Sequence, residues 1–121
     1  MSVQSHRDLQ VWQKAMRFVS IIYKLTPQFP REEMYGLTSQ MRRAAVSVPS
    51  NIAEGNSRST RRDDAYFVSH AKGSLMEAET QVLIAIDLGY VSHEQARESL
   101  ALITEISKML TSLRASLLSA S

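Results

Sequence analysis

Six of the chain's fourteen lysines and arginines fall within about 30 residues: Arg42, Arg43, Arg58, Arg61, Arg62 and Lys72. Cations gathered in this way suit the neutralisation of phosphates in RNA or DNA, with a solvated surface patch as the plain alternative. Arg61 and Arg62 are the most telling pair. They stand in the first turn of a predicted helix, where the macrodipole favours acids such as the neighbouring Asp63 and Asp64 and disfavours cations. Helix stability does not account for them, whereas phosphate contact does. The net charge is only +2, so local clustering must supply any attraction for nucleic acid.

Other chemistries lack their parts. A di-iron bundle needs Glu-x-x-His on two helices, but three residues before His6, His70 and His93 stand Val3, Phe67 and Tyr90. The absence of cysteine removes disulfides, thiolate metal sites and cysteine nucleophiles together, and it fits a reducing cytoplasm. Glu54, Glu77 and Glu79 could approach one another, yet nothing pairs them with a base or a cleft. No nucleophile elbow and no glycine-rich phosphate loop is present. No catalytic residue, metal ligand or cofactor is therefore assigned, and the chain is expected not to be an enzyme. The N-terminal MSVQSHRDLQ has no apolar core for a signal peptide. The apolar stretches stop well short of the roughly 20 residues a membrane span requires.

The elements that must position these cations are helices. At 121 residues, with 44% apolar and 21% charged content, the chain is expected to form one domain over 1–121. Asp8 is a candidate cap for a helix over about 8–25, with Leu9, Trp12, Met16, Val19 and Tyr23 at helical spacing and Val11, Ala15, Phe18 and Ile22 broadening the stripe. So wide a face suggests burial on two sides, against bundle partners and a neighbouring subunit. Residues 1–6 read as a loose tail and Ser119–Ser121 as a fraying end. A second helix, about 33–56 with its start open between Arg31 and Leu37 because of Gly36, repeats Leu37, Met41, Ala45, Val48 and Ile52 on one face. Pro49 interrupts it, lacks the amide that would reach the Ala45 carbonyl, and predicts a kink rather than two helices.

A third helix, about 60–88, opens at Ser59 or Thr60. Its face runs through Tyr66 or Phe67, Ala71, Ser74, Ala78, Val82 and Ala85, and Gly89 is placed just past its end, with Tyr90 or Val91 packing back. Ser92 with Gln95 forms a capping box that starts the fourth, about 92–118, whose stripe is Leu100, Ile103, Ile106, Leu110, Leu113 and Leu117. Four helices with short connections predict an all-α, up-down-up-down antiparallel four-helix bundle.

On the second helix Arg42 and Arg43 lie away from the Met41/Ala45/Val48 face. Opposite that face runs a stripe of Gln40, Arg43, Ser47, Ser50 and Glu54, with Asn51 and Arg58 at its edge. Serines are short for an exposed helix surface, where long helix formers are more favourable. Gln40, Arg43, Ser47, Ser50, Asn51 and Glu54 are therefore candidates for contact with another subunit.

These same residues carry a resemblance. Leu9-x-Val11-Trp12-x-x-Ala15, Ile22-Tyr23-x-Leu25-Thr26, Phe29-Pro30, Tyr35-Gly36-Leu37, the run from Gln40 through Ala44, Ser47-Val48-Pro49-Ser50-Asn51 and Glu54 to Gly55, and Ala71-x-Gly73-Ser74-Leu75-x-Glu77-x-Glu79-Thr80-Gln81 are similar to the bacterial four-helix bundle family, the 23S rRNA intervening sequence proteins. The likeness runs from about Leu9 to Leu113. It implies a helical bundle assembling as a homopentamer, without known catalytic activity. A more distant resemblance, to the accessory bundle proteins of diversity-generating retroelements, implies a reverse transcriptase as a further partner and a basic surface for nucleic acid. The residues Arg42, Arg43, Arg58, Arg61 and Arg62 match positions where such proteins are often basic. Two rival readings stand beside a nucleic-acid binder: a protein-interaction or accessory scaffold module without nucleic-acid binding, and an enzyme with a site between subunits.

Overall fold

In the computed structural model, which describes residues 5–119, every regular element is helical. The first turn differs from expectation. Ser5 heads a short 3-10 turn, His6–Asp8, accepting the Arg7 amide on its hydroxyl at 3.1 Å while its own amide donates to the Asp8 carboxylate at 3.4 Å. Asp8 thus serves this capping box and not the helix that follows. That helix, α1 (Gln10–Leu25), starts behind Leu9 with no side-chain cap. Of the predicted loose tail, residues 1–4 lie outside the described residues, while Ser5 and His6 are ordered in this turn.

The buried line of α1 is also rotated from the predicted one. Val11, Ala15, Phe18, Ile22 and Leu25 are buried; Leu9, Trp12 and Val19 are half-buried, and Met16 and Tyr23 are exposed. The residues expected only to broaden the stripe form its centre. Two 3-10 turns, Thr26–Gln28 and Arg31–Glu33, follow around Pro27 and Pro30, each proline fixing its own φ and biasing the residue before it away from helix.

Helix α2 (Leu37–Asn56) begins behind Gly36, at the late end of the span the sequence leaves open. Its free first amide, that of Leu37, donates to Glu33 Oε1 at 3.0 Å, and the Tyr90 hydroxyl donates to Glu33 Oε2 at 2.8 Å. These two donors hold the Glu33 carboxyl below the ordinary carboxylate range, and the same bond raises the Tyr90 phenol. The helix runs unbroken through the buried Pro49. Next to the carbonyl that the proline leaves without its amide partner, the Ser50 hydroxyl donates to the Val46 carbonyl and the Asn51 amide to the Ser47 carbonyl, each at 2.8 Å.

Helix α3 (Arg61–Asp87) opens at Thr60, whose hydroxyl accepts the Asp63 amide at 3.0 Å. Its core face is Ala65, Val68, Ala71, Leu75, Ala78, Val82 and Ala85. Ser74 is only half-buried and Tyr66 is exposed, so the first part of the predicted face is displaced by about one position. At the far end Gly89 has φ of 79°, Tyr90 N–H donates to the Ala85 carbonyl and Gly89 N–H to that of Ile86. This is the expected Schellman closure, and Val91 packs behind it. The Ser92–Gln95 capping box is reciprocal, at 3.1 and 2.9 Å, and starts α4 (His93–Ser119).

Each helix packs on two neighbours, α1 on α2 and α4, and α3 on α2 and α4, which closes a four-helix bundle. Phe18, Ile22, Met41, Leu75, Ile103, Ile106 and Leu110 are fully buried at its centre, each contributing about 1.5–3 kcal/mol of apolar burial. The α2–α3 seam is the most extensive contact. Ala44, Ala45, Ala71 and Ala78 are buried along these two helices, and Gly55 is buried near the turn, where a Cβ would stand 2.9 Å from Phe67 Cβ.

Candidate nucleic-acid interface

The tight α2–α3 seam brings its two helix ends together across four residues, 57–60, and three of the six predicted cations gather there. Arg58 folds back on α2, pairing with Glu54 at 2.7 Å and stacking its guanidinium 4.5 Å from the centre of the Phe67 ring. Arg61 and Arg62 are exposed in the first turn of α3 and have neither an ion-pair nor a hydrogen-bond partner among the described residues. Asp63 is exposed beside them. Asp64 is half-buried against the Gly55 turn, and that burial pushes its carboxyl pKa up. Of the three cations at this end, Arg58 is engaged by Glu54 and Phe67, whereas Arg61 and Arg62 form no ion pair among the described residues.

One turn beyond Arg62 the Tyr66 ring is 60% exposed, packed edge-on to Phe67 at 5.3 Å and to His70 at 4.5 Å. An open groove of about 350 Å³ begins there, lined by Tyr66, Ser69, His70, Gly73, Ser74 and Glu77. It meets a second of similar volume, lined by Gln40, Arg43, Ala44, Ser47, Ser74 and Glu77, at the shared residues Ser74 and Glu77.

The other predicted cations lie elsewhere. Arg43 is exposed on α2, about 20 Å from Arg58 at 1.5 Å per residue. Arg42, expected to point outward beside it, is half-buried toward α1. Its Nε donates to Thr26 Oγ1 at 2.8 Å and its guanidinium lies 4.5 Å from the centre of the Tyr23 ring. Lys72 donates to Thr111 Oγ1 at 2.9 Å on the α3–α4 side. Three arginines, not six cations, therefore form one cluster.

The polar stripe of α2 is divided as well. Gln40, Arg43, Ser50 and Glu54 are exposed. Ser47 and Asn51 are half-buried and work within the protomer: Ser47 Oγ shares a hydrogen bond with Ser74 Oγ at 2.8 Å and accepts one from the Asn51 amide at 2.9 Å. The stripe marks the α2–α3 seam at these two positions. Sequence reasoning passed over a different set of exposed side chains, the apolar Met34, Tyr35, Val46, Leu83, Ile84 and Leu88. Periodicity hides them because it reports which face is apolar only where one face dominates. Among the described residues no three His, Asp or Glu side chains gather as metal ligands would, and no helix is long and apolar enough to cross a membrane.

The architecture so built is an all-helical bundle with a cationic end and small-residue seam. Its sequence matches the 23S rRNA-intervening sequence protein family over residues 7–112, nearly the whole chain, and the chain belongs to that family. A crystal structure from Bacteroides thetaiotaomicron VPI-5482, described as a protein with unknown function from the S23 ribosomal protein family, is similar in fold. Its TM-score is 0.79 at 26% sequence identity, covering 86% of this chain and 97% of that one. No functionally curated protein matches the sequence.

Proposed function

We propose that this is a non-catalytic, cytoplasmic, homo-oligomeric bundle that holds RNA or DNA by its phosphates at the α2–α3 end, without reading bases. The resemblance to a pentameric family supports five copies. One observation carries the reading: Arg61 and Arg62 stand exposed, without a partner among the described residues, in a helix turn whose dipole opposes them. A position that is unfavourable for the fold and open to solvent is suited to an external anion. Thr60 already caps the helix, so the arginines are not needed to close it. Repetition around an oligomer would multiply three weak contacts into a usable affinity.

The test sets stability against binding. Arg61→Glu with Arg62→Glu places acids where the dipole favours them, so the bundle should become more stable by roughly 1 kcal/mol. Retention of labelled RNA on a filter should fall at the same time. With Arg58, Arg61 and Arg62 each neutralising one phosphate, the wild-type log–log salt slope should be about −2 to −3 per protomer, dropping to about −1 in the variant. Retention equal to wild type at every salt concentration would refute the assignment, and the scaffold reading without nucleic acid would replace it.

A further inference from the structure

Seven of the ten large apolar side chains exposed among the described residues fall into two groups. Tyr23, Met34, Tyr35 and Val46 surround an open groove of about 460 Å³ on the α1–α2 side, with Arg42 and Arg43 at its wall. Tyr35 is 92% exposed, nearly its full ring in water. Leu83 and Ile84 lie in the last turns of α3 and Leu88 just past its end, where it is 54% exposed. Clustered apolar surface of this kind marks contact sites more often than scattered single residues do.

Charge divides along the same line. Residues 34–53 hold Arg42 and Arg43 and no acid, whereas residues 73–92 hold Glu77, Glu79 and Asp87 and no lysine or arginine. Arg43, Glu77 and Asp87 are exposed and form no ion pair among the described residues. On the same outer strip of α3, Gly73 has open space around the position a Cβ would take, so nothing within the protomer calls for a residue that costs a helix about 1 kcal/mol relative to alanine.

We infer that the two faces dock on each other between successive copies of the chain: the cationic, aromatic α1–α2 face of one protomer covers the acidic, apolar outer face of α3 on the next. The inference rests on the homo-oligomeric reading above and specifies its contact. Each face is apolar at its centre and opposite in charge at its margin, which fits an interface with a desolvated core and a polar rim. Tyr35 is the anchor, since a rigid exposed aromatic side chain supplies large contact area at small entropic loss. Because the two surfaces differ, the contact is heterologous, and its repetition by a rotation that closes makes a ring. Arg42 and Arg43 then belong to self-contact, and Arg58, Arg61 and Arg62 remain for phosphate.

The experiment uses two variants of the full chain, Tyr35→Glu and the double variant Leu83→Glu with Leu88→Glu. All three side chains are exposed in the protomer, so helical circular dichroism should match wild type. Light scattering and sedimentation at micromolar concentration should show an assembled wild type and two monomeric variants, each weakened at least tenfold. Mixed one to one, the variants should form a heterodimer and nothing larger, because each supplies the face the other lacks. Wild-type assembly that persists in both variants overturns the assigned faces and leaves the oligomer standing. One variant that still dimerises by itself overturns the heterologous arrangement. A monomeric wild type removes the oligomer and the contact together.

Discussion

Replacing Gly55 by alanine tests the α2–α3 seam at its closest point. In an exposed helix this change stabilises by about 1 kcal/mol, because glycine loses more backbone freedom on folding. Here the added Cβ would stand 2.6 Å from Asp64 Oδ1, 2.9 Å from Phe67 Cβ and 3.0 Å from the Asp64 carbonyl oxygen. The carboxylate can swing aside, but the other two atoms are tied to the α3 backbone. Carbon atoms rest near 3.5–4.0 Å apart, so the helices must separate by roughly 0.6–1 Å. Overpacking of that size costs about 1–3 kcal/mol, so after the propensity gain of about 1 kcal/mol the net loss should reach up to about 2 kcal/mol. For a domain of this length that corresponds to a melting temperature lower by up to about 8 °C. Urea unfolding of both proteins at one matched concentration measures it, since assembly adds to apparent stability. A variant more stable than wild type by the full exposed-helix gain of about 1 kcal/mol would falsify the close-packing account.

Ser47→Ala should cost about 1–2 kcal/mol in the same assay, because Ser74 and Asn51 each lose a hydrogen-bond partner; no loss would mean that water replaces both bonds. Gly89→Ala should cost about 1 kcal/mol from backbone strain alone, since φ is 79° and the site is otherwise open. The lowered Glu33 pKa gives a pH signature. A carboxyl depressed in the folded state lends stability above its ordinary range and loses it as pH falls, so wild type should weaken between about pH 5 and 3. Glu33→Gln should flatten that part of the curve, and an unchanged pH profile would show that the bonds to Leu37 and Tyr90 do not distinguish the charged form.

Much of this bundle is legible because its punctuation is local. Thr60, Gly89 and the Ser92–Gln95 box act on amides within a few residues, so their chemistry can be read from spacing. The buried line of α2 is likewise clear because polar residues flank it. The line of α1 is not. Apolar residues cover so much of that helix that periodicity gives the width of the arc but not its centre, which depends on where α2 and α4 sit. The Ser5–Asp8 box was available as a local pattern and lost to the stronger expectation that chain ends are loose.

The cationic cluster was legible in composition and only partly in place. Arg58, Arg61 and Arg62 are held at one end of the bundle because only four residues join α2 to α3. Arg42 went to Thr26 and Lys72 to Thr111, residues 16 and 39 positions away, and no spacing rule reaches that far. Ser47 shows the same limit, since its partner Ser74 lies across the seam at a separation of 27.

The narrowness of that seam has an effect outside the hydrophobic interior. Helices lined by alanine and glycine approach at the near end of the usual 8–10 Å range, and four residues then suffice to join them. Leucines in the same places would push the rods apart, lengthen the bridge between them and spread the guanidinium groups it carries. The girth of side chains that never meet solvent thus sets the spacing of positive charge at the tip.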